Sequence, residues 1–234
     1  LPIYKGVAVL VRHDGAPEEW VPYGVRLEVT YDQGATYSLL GLAADVWTLG
    51  APFSFTPTRP TSRAKIRATP NNPAPFTNVF DESDSYFTVA GTLVTTPTNR
   101  QVYTLGTTRS VSWLAAGAEN KAHIFYTAGD TNQFQRITDP LGIANNNSYP
   151  NQNSYDWNIS ERLEPSTNAK LKVTSGVYSD ISKPFILRGV RVTSPNTGSV
   201  WNVGTGQAVA WKSAGVDVNA LASLHLSTDG GATF

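Results

Sequence analysis

The residue types that perform most acid–base, nucleophilic and metal chemistry are sparse and scattered in this chain of 234 residues. Its three histidines, His13, His123 and His225, lie far apart in no metal-ligand spacing, and cysteine is absent, so a zinc site is not expected. The sequence has no G-x-S-x-G segment, the turn that exposes a catalytic serine in many hydrolases. We therefore predict no catalytic residues and no cofactor, and interpret this chain as a non-enzyme.

One group of carboxylates has the chemistry of a weak calcium site. Asp81, Glu82 and Asp84 form the densest acidic cluster of the chain, and calcium prefers such oxygen ligands. The cluster lacks the regular D-x-D-x-D-G order of a calcium loop, so a solvated turn is the favoured interpretation and calcium the alternative.

Two asparagines match the N-x-S/T acceptor pattern for glycosylation. Asn146 lies in a polar stretch, residues 144–153, that we predict to be an accessible loop. Asn158 follows Trp157 in a predicted strand and is expected to be less accessible.

The tryptophans divide into two groups. Trp113, Trp157 and Trp211 are expected in the structural core, together with Gly106 and Gly204, because they occupy positions of an internal repeat that a β-sandwich fills with aromatics and turns. Trp20 and Trp47 lie outside those positions and are the better candidates for an exposed contact with glycans.

The internal repeat determines the predicted architecture. Residues 95–117 match residues 193–215 without a gap, so that Trp113 corresponds to Trp211 and Gly106 to Gly204, each pair 98 positions apart. Residues 34–37 match residues 231–234 at an offset of 197, close to twice that period. Agreement in separate blocks at one period is typical of tandem modules.

Each copy contains short runs of alternating apolar and polar residues separated by turn residues, which predicts β-strands. Examples are residues 207–211 and 223–227, the latter followed by a hairpin turn at 228–231. Val7, Val9 and Val11 are the predicted inward face of the opening strand, and residues 70–75 form a Pro-rich loop. We predict an all-β chain of tandem immunoglobulin-like β-sandwich domains: residues 1–91 lacking a first strand, residues 92–189 complete, and residues 190–234 an N-terminal half.

Composition excludes several classes of function. The 18 basic and 18 acidic residues are interspersed without a basic run, which argues against a nucleic-acid binder. No apolar stretch approaches the roughly 20 residues that span a bilayer. The first residue is not Met, so we expect the chain to begin inside a longer precursor.

At the repeated blocks the sequence resembles a module of exported bacterial proteins. Residues 192–211 and 227–234 follow its V-T-S-P-N…W-x-V-G…W and S-T-D-G-G-x-T-W patterns, and a related block occurs in a fungal cell-wall family. Members of this family look like immunoglobulin-like or fibronectin-like modules of surface-layer proteins, adhesins and secreted hydrolases, and planctomycete-type surface-layer proteins are similar in style. The resemblance implies an extracellular, cell-surface location.

We therefore expect a structural module of a cell-surface, surface-layer-type protein, acting as spacer and lattice or interaction domain. Its expected partners are copies of itself or other cell-surface proteins. One alternative is a non-catalytic accessory module of a secreted hydrolase. Another is an adhesin that binds glycans through Trp20, Trp47 or the loop around Tyr149.

Overall fold

Short strands dominate the regular structure of this chain, as its β-branched and aromatic residues predict. The computed structural model describes residues 25–42, 54–70, 80–129, 133–217 and 219–234. Within these ranges every regular element is a strand, so the protein is all-β as expected.

The strands follow one another in this order: β1 (Val25–Thr30), β2 (Ser38–Leu42), β3 (Thr61–Pro70), β4 (Asp81–Glu82), β5 (Phe87–Val89), β6 (Gly91–Thr96), β7 (Val102–Thr104), β8 (Thr108–Ala116), β9 (Lys121–Thr127), β10 (Gln135–Arg136), β11 (Ile143–Ala144), β12 (Gln152–Asn158), β13 (Ser166–Ser175), β14 (Tyr178–Ile181), β15 (Phe185–Ser194) and β16 (Ala210–Ala214).

These strands form three sheets. The first has five strands in the order β2-β1-β3-β4, with β5 also paired to β3. The second has eight, with the path β10-β9-β13-β15-β16 and with β11, β14 and β7 attached, and the third is β12-β8-β6. The described pairings are antiparallel except for β7, which runs parallel to β15. Antiparallel sheets of this kind, packed on one another, are consistent with a β-sandwich.

The largest core lies between the second and third sheets. Alternate residues of β13, namely Ala169, Leu171 and Val173, are fully buried and face it, as period-two alternation requires of a strand with one buried face. From the third sheet, the predicted core residues Trp113 and Trp157 are 1% and 3% exposed.

Gly106 and Gly204 serve as turn residues and do not belong to the core. Both are exposed, and their φ angles are +75° and +80°, in the left-handed region that glycine occupies without steric cost. An added Cβ at Gly106 would also approach Glu161 Cγ to 2.9 Å.

The assignment of Trp211 to the core was wrong for this structure, because its side chain is 43% exposed. Its strand, β16, pairs with β15, whereas Trp113 is flanked on β8 by both β6 and β12. Within the described part of residues 190–234 no strand stands in for β12. The predicted strand at 223–227 was also wrong, although the turn that follows it is present.

Replacing the buried tryptophan tests this difference within one molecule. Trp113→Ala should lower the free energy of unfolding by about 3–5 kcal/mol, the range for truncating a buried large aromatic. Trp211→Ala, the matched control at the corresponding repeat position, should cost about 1 kcal/mol or less because its ring already contacts water. Urea denaturation of the whole chain measures both values, and equal losses would contradict the burial described above.

A buried tyrosine makes the fold sensitive to alkaline pH. Burial raises the pKa of Tyr103 to about 12 from its ordinary value of 10.0, and its hydroxyl donates a hydrogen bond to the Ser110 carbonyl. Because the folded state holds this proton more tightly than the unfolded chain, the stabilisation is complete below pH 10 and is lost as the pH rises toward 12.

We therefore expect the denaturation midpoint to fall between pH 10 and pH 12, over the interval between the unfolded and folded pKa of Tyr103. Tyr103→Phe should reduce the slope of that fall. Tyr126→Phe should remove a further share, because burial also raises the pKa of Tyr126. An unchanged slope in both variants would show that neither hydroxyl is withheld from water.

Candidate functional site

Two junctions join successive parts of the described chain directly: the step from β5 to β6, and the change of pairing along β15. At the first, Ala90 alone separates the end of β5 from the start of β6. Strand β5 pairs with β3 of the first sheet, and β6 pairs with β8 of the third. No linker therefore intervenes between the two sheets.

At the second junction a single strand, β15, continues without interruption. The first part of β15, residues 185–188, pairs with β13 and with β7, and the remainder, from Gly189 onward, pairs with β16. Gly189 allows the close approach of Leu105, since an added Cβ would lie 2.5 Å from Leu105 Cδ1. The Leu105 amide donates to the Arg188 carbonyl at 3.0 Å and fixes the same point from the backbone.

A glycine that follows β8 or β16 contacts the strand leading into each junction. A Cβ added to Gly117 would lie 2.8 Å from the Ala90 Cβ, and one added to Gly215 would lie 2.7 Å from Ile186 Cγ2. Both glycines have positive φ angles, +57° and +65°. The two glycines are 98 positions apart, and so are their neighbours, because a Cβ at Gly117 would also lie 3.3 Å from Thr88 Cγ2 and one at Gly215 would lie 3.2 Å from the Arg188 Cβ. Each glycine thus lets two strands approach more closely than a side chain permits.

The polar stretch 144–153 forms hydrogen bonds to strands on both sides of the first junction. The buried Asn151 donates through its amide group to the carbonyls of Ala115, at 2.8 Å, and Asn147, at 2.6 Å. Its side-chain oxygen accepts from the backbone amide of Ser62 on β3 at 3.3 Å. In return, the Ser62 hydroxyl accepts from the Tyr149 amide at 3.1 Å.

The same loop is tied to the core through Trp113. The indole N–H donates to Asn145 Oδ1 at 2.9 Å, and the Asn145 amide donates to the Glu119 carbonyl and to Ser175 Oγ. Buried polar groups are stable only when satisfied in this way. The stretch predicted to be an accessible loop is therefore partly structural: Asn145 and Asn151 are buried, while Asn146 is exposed.

Charged side chains also lie near both junctions. At the second one, Lys212 on β16 forms an ion pair with Glu164, which precedes the buried Pro165. At the first, Arg59 precedes the buried Pro60 and lines an open cleft beside Leu114, the repeat counterpart of Lys212. The positions correspond, although the chemistry of the contact differs.

Two turns, one at Asp32 and one at Asp229, have the same pattern of hydrogen bonds. Asp32 accepts from the Thr36 amide at 2.8 Å and from the Thr30 hydroxyl at 2.7 Å. Asp229 accepts from the Thr233 amide at 3.0 Å and from the Ser227 hydroxyl at 2.6 Å. Although desolvation opposes it, hydrogen bonding lowers the pKa of Asp32, and the bonds from Ser227 and Thr233 lower the pKa of Asp229. The carboxylates act as turn anchors.

Asp81, Glu82 and Asp84, the calcium alternative, do not converge as a set of three ligands in this structure. Glu82 Oε1 accepts from the Tyr37 hydroxyl at 2.5 Å and from Arg67 at 2.6 Å, and these bonds lower the pKa of Glu82. Its charge is thus used within the sheet, while Asp81 and Asp84 are exposed. No group of three His, Cys, Asp or Glu side chains able to hold a metal occurs among the described residues.

The remaining candidates can be located only in part. Asn146 and Asn158 are both exposed. Asn158 was expected to be less accessible because it lies in a strand, but its strand position does not bury it. Tyr149 is half-exposed at the first junction, and His225 is exposed. Trp20, Trp47, His13 and the valines at 7, 9 and 11 lie outside the described residues.

Sequence inspection missed a row of cations on β3. Arg63, Lys65 and Arg67 alternate with the buried Ala64 and so share the outer face of the first sheet. The guanidinium carbon of Arg67 lies 3.6 Å from the centroid of the Tyr37 ring, and Arg63 and Lys65 lie 5.0 and 5.3 Å from that of Tyr86. The period-two spacing of the three cations was the available signal.

Strand β13 carries a similar row. Lys170 and Lys172 alternate with the buried residues of that strand. The ammonium of Lys172 lies 5.7 Å from the Phe134 ring, and the guanidinium of Arg136 lies 5.7 Å from the Phe125 ring. These distances are within the range of cation–π attraction.

Comparison with known proteins adds no family. No protein-family model matches the chain, and no curated protein matches it. In the part of the chain that the structure describes, no helix is long and apolar enough to cross a membrane.

The first junction can be tested at Gly117. Gly117→Ala should destabilise the chain for two reasons. An alanine at this positive φ costs about 1–2 kcal/mol, and the clash of its Cβ with Ala90 adds roughly 1–3 kcal/mol. Gly198→Ala is the matched control, because its φ is +86° but an added Cβ meets nothing within 4 Å. Urea denaturation should show the larger loss for Gly117→Ala, and equal losses would mean that the two strands separate readily.

Proposed function

We propose that this chain is a structural module of a bacterial cell-surface protein, built of tandem immunoglobulin-like β-sandwiches that serve as a rigid spacer and as an interaction domain. It has no catalytic role in this proposal. Its partners are copies of itself or other surface proteins outside the cell.

The observation that carries the proposal is that neither junction contains a linker segment. A spacer must keep a fixed distance, and a flexible linker between domains would prevent that. Here β15 runs through Gly189 without interruption, and one residue, Ala90, separates β5 from β6. The close approaches at Gly117 and Gly189 favour a fixed geometry at both points.

Tandem repetition is supported by geometry as well as by sequence. Gly117 and Gly215 make corresponding contacts, and the turns at Asp32 and Asp229 have the same hydrogen bonds. A solenoid or array in which each unit contacts its neighbours has this character.

Imaging of the producing cells tests the proposal. Antibodies raised against the whole chain should label intact, unpermeabilised cells in an ordered lattice or fibre, seen by immunogold electron microscopy. Serum depleted with the purified chain is the control. Label confined to the cell interior, or a surface label without order, would reject the structural role.

A further inference from the structure

Positive charge is concentrated on the outer faces of two sheets, although the chain as a whole has 18 basic and 18 acidic residues. We define the β13 face by Lys170, Lys172, Arg136, Phe125 and Phe134. By the pairing registers Arg136 and Lys172 both lie opposite Phe125 and share its side of the sheet. Strands β9, β10, β13 and β14, as described, place no Asp or Glu on that side.

The β3 face consists of Arg63, Lys65, Arg67, Tyr37 and Tyr86. Here the row of cations is partly neutralised, because Glu82 pairs with Arg67 at 2.6 Å and with Lys65 at 3.5 Å. Arg63 has no such carboxylate partner among the described ion pairs, and its guanidinium lies over the Tyr86 ring. The face therefore keeps a net positive charge.

The two faces occupy equivalent places in their sheets. Ala64 of β3 pairs with Phe87, and Ala169 of β13 pairs with Phe185, two phenylalanines one repeat period apart. Lys65 therefore corresponds to Lys170, and Arg67 to Lys172. An aromatic ring contacts the second cation on each face, Tyr37 on one and Phe134 on the other.

We propose that these two faces bind a carboxylate-bearing polysaccharide. Alternate cations along a strand are about 6.8 Å apart, which suits a polymer with regularly spaced charges better than a single small anion. Tyrosine offers an apolar ring beside a polar hydroxyl, and Tyr86 is 39% exposed. Phe80, next to this face with its ring 4.6 Å from Arg67 and 53% exposed, adds apolar surface for sugar rings.

A nucleic acid fits less well. Its dense phosphates call for many closely grouped cations, whereas this side of the sheet has four, Lys121 at the start of β9 included, set among aromatic rings. The inference does not depend on the spacer role proposed above, because a surface module of any kind can carry a glycan-binding face.

The test measures binding of the whole purified chain to polygalacturonate by isothermal titration calorimetry. Dextran supplies sugar without charge, and polyglutamate supplies carboxylates without sugar. We expect binding to polygalacturonate that weakens with added salt and is at least about tenfold tighter than to either control polymer, a difference that one charged hydrogen bond can supply.

Variants locate the site. Lys170→Gln with Lys172→Gln should weaken binding by about tenfold or more, since each lysine can donate to a carboxylate. The matched control is Arg162→Gln with Lys183→Gln, which removes the same charge from exposed positions outside both faces. Tyr86→Ala should weaken binding, while Tyr149→Ala, at a tyrosine of similar exposure (38%), should not.

Three results would overturn the inference. They are equal affinity for polyglutamate and polygalacturonate, equal losses in the paired lysine and control variants, or tighter binding to single-stranded DNA than to polygalacturonate. Circular dichroism and thermal unfolding of each variant would show that lost binding does not reflect lost folding. The imaging result for the spacer role is independent of all these outcomes.

Discussion

The packing of Leu105 against Gly189 lies at the point where β15 changes its pairing from β13 and β7 to β16. Because β15 continues through this point within one sheet, its backbone approaches the loop after β7 closely. A Cβ at position 189 would lie 2.5 Å from Leu105 Cδ1 and 2.8 Å from its Cγ, so the leucine side chain would have to shift. The Leu105 amide, bonded to Arg188, holds the loop in place.

The first junction relies on polar rather than apolar contacts. Asn151 is almost completely buried, and its donors and acceptor are all used, one of them by Ser62 on the neighbouring sheet. An unpaired amide in that position would cost roughly 1–3 kcal/mol. The bonds therefore specify one register of the loop against β3, because a shift of one residue would leave several groups unsatisfied.

The sequence was sufficient for the fold class and for the core of the middle region, because the alternation of apolar and polar residues along a strand reports its buried face directly. It also located the turn at Asp32 and its counterpart at Asp229. It failed at Trp211, since burial there depends on which strands flank β16, and a repeat pattern does not contain that information. It failed at Glu82 for a related reason: the partners Tyr37 and Arg67 are distant in sequence and meet only through the sheet register.

Strand β7 lies parallel to β15, with Val102 to Thr104 beside Ile186 to Arg188. One strand comes from near the start of this region and the other from its end. When tension pulls the chain from both sides, the two strands are drawn past each other along their length. Their hydrogen bonds are then loaded together in shear instead of opening one at a time. Strands loaded in this way resist separation more than strands whose hydrogen bonds open one after another.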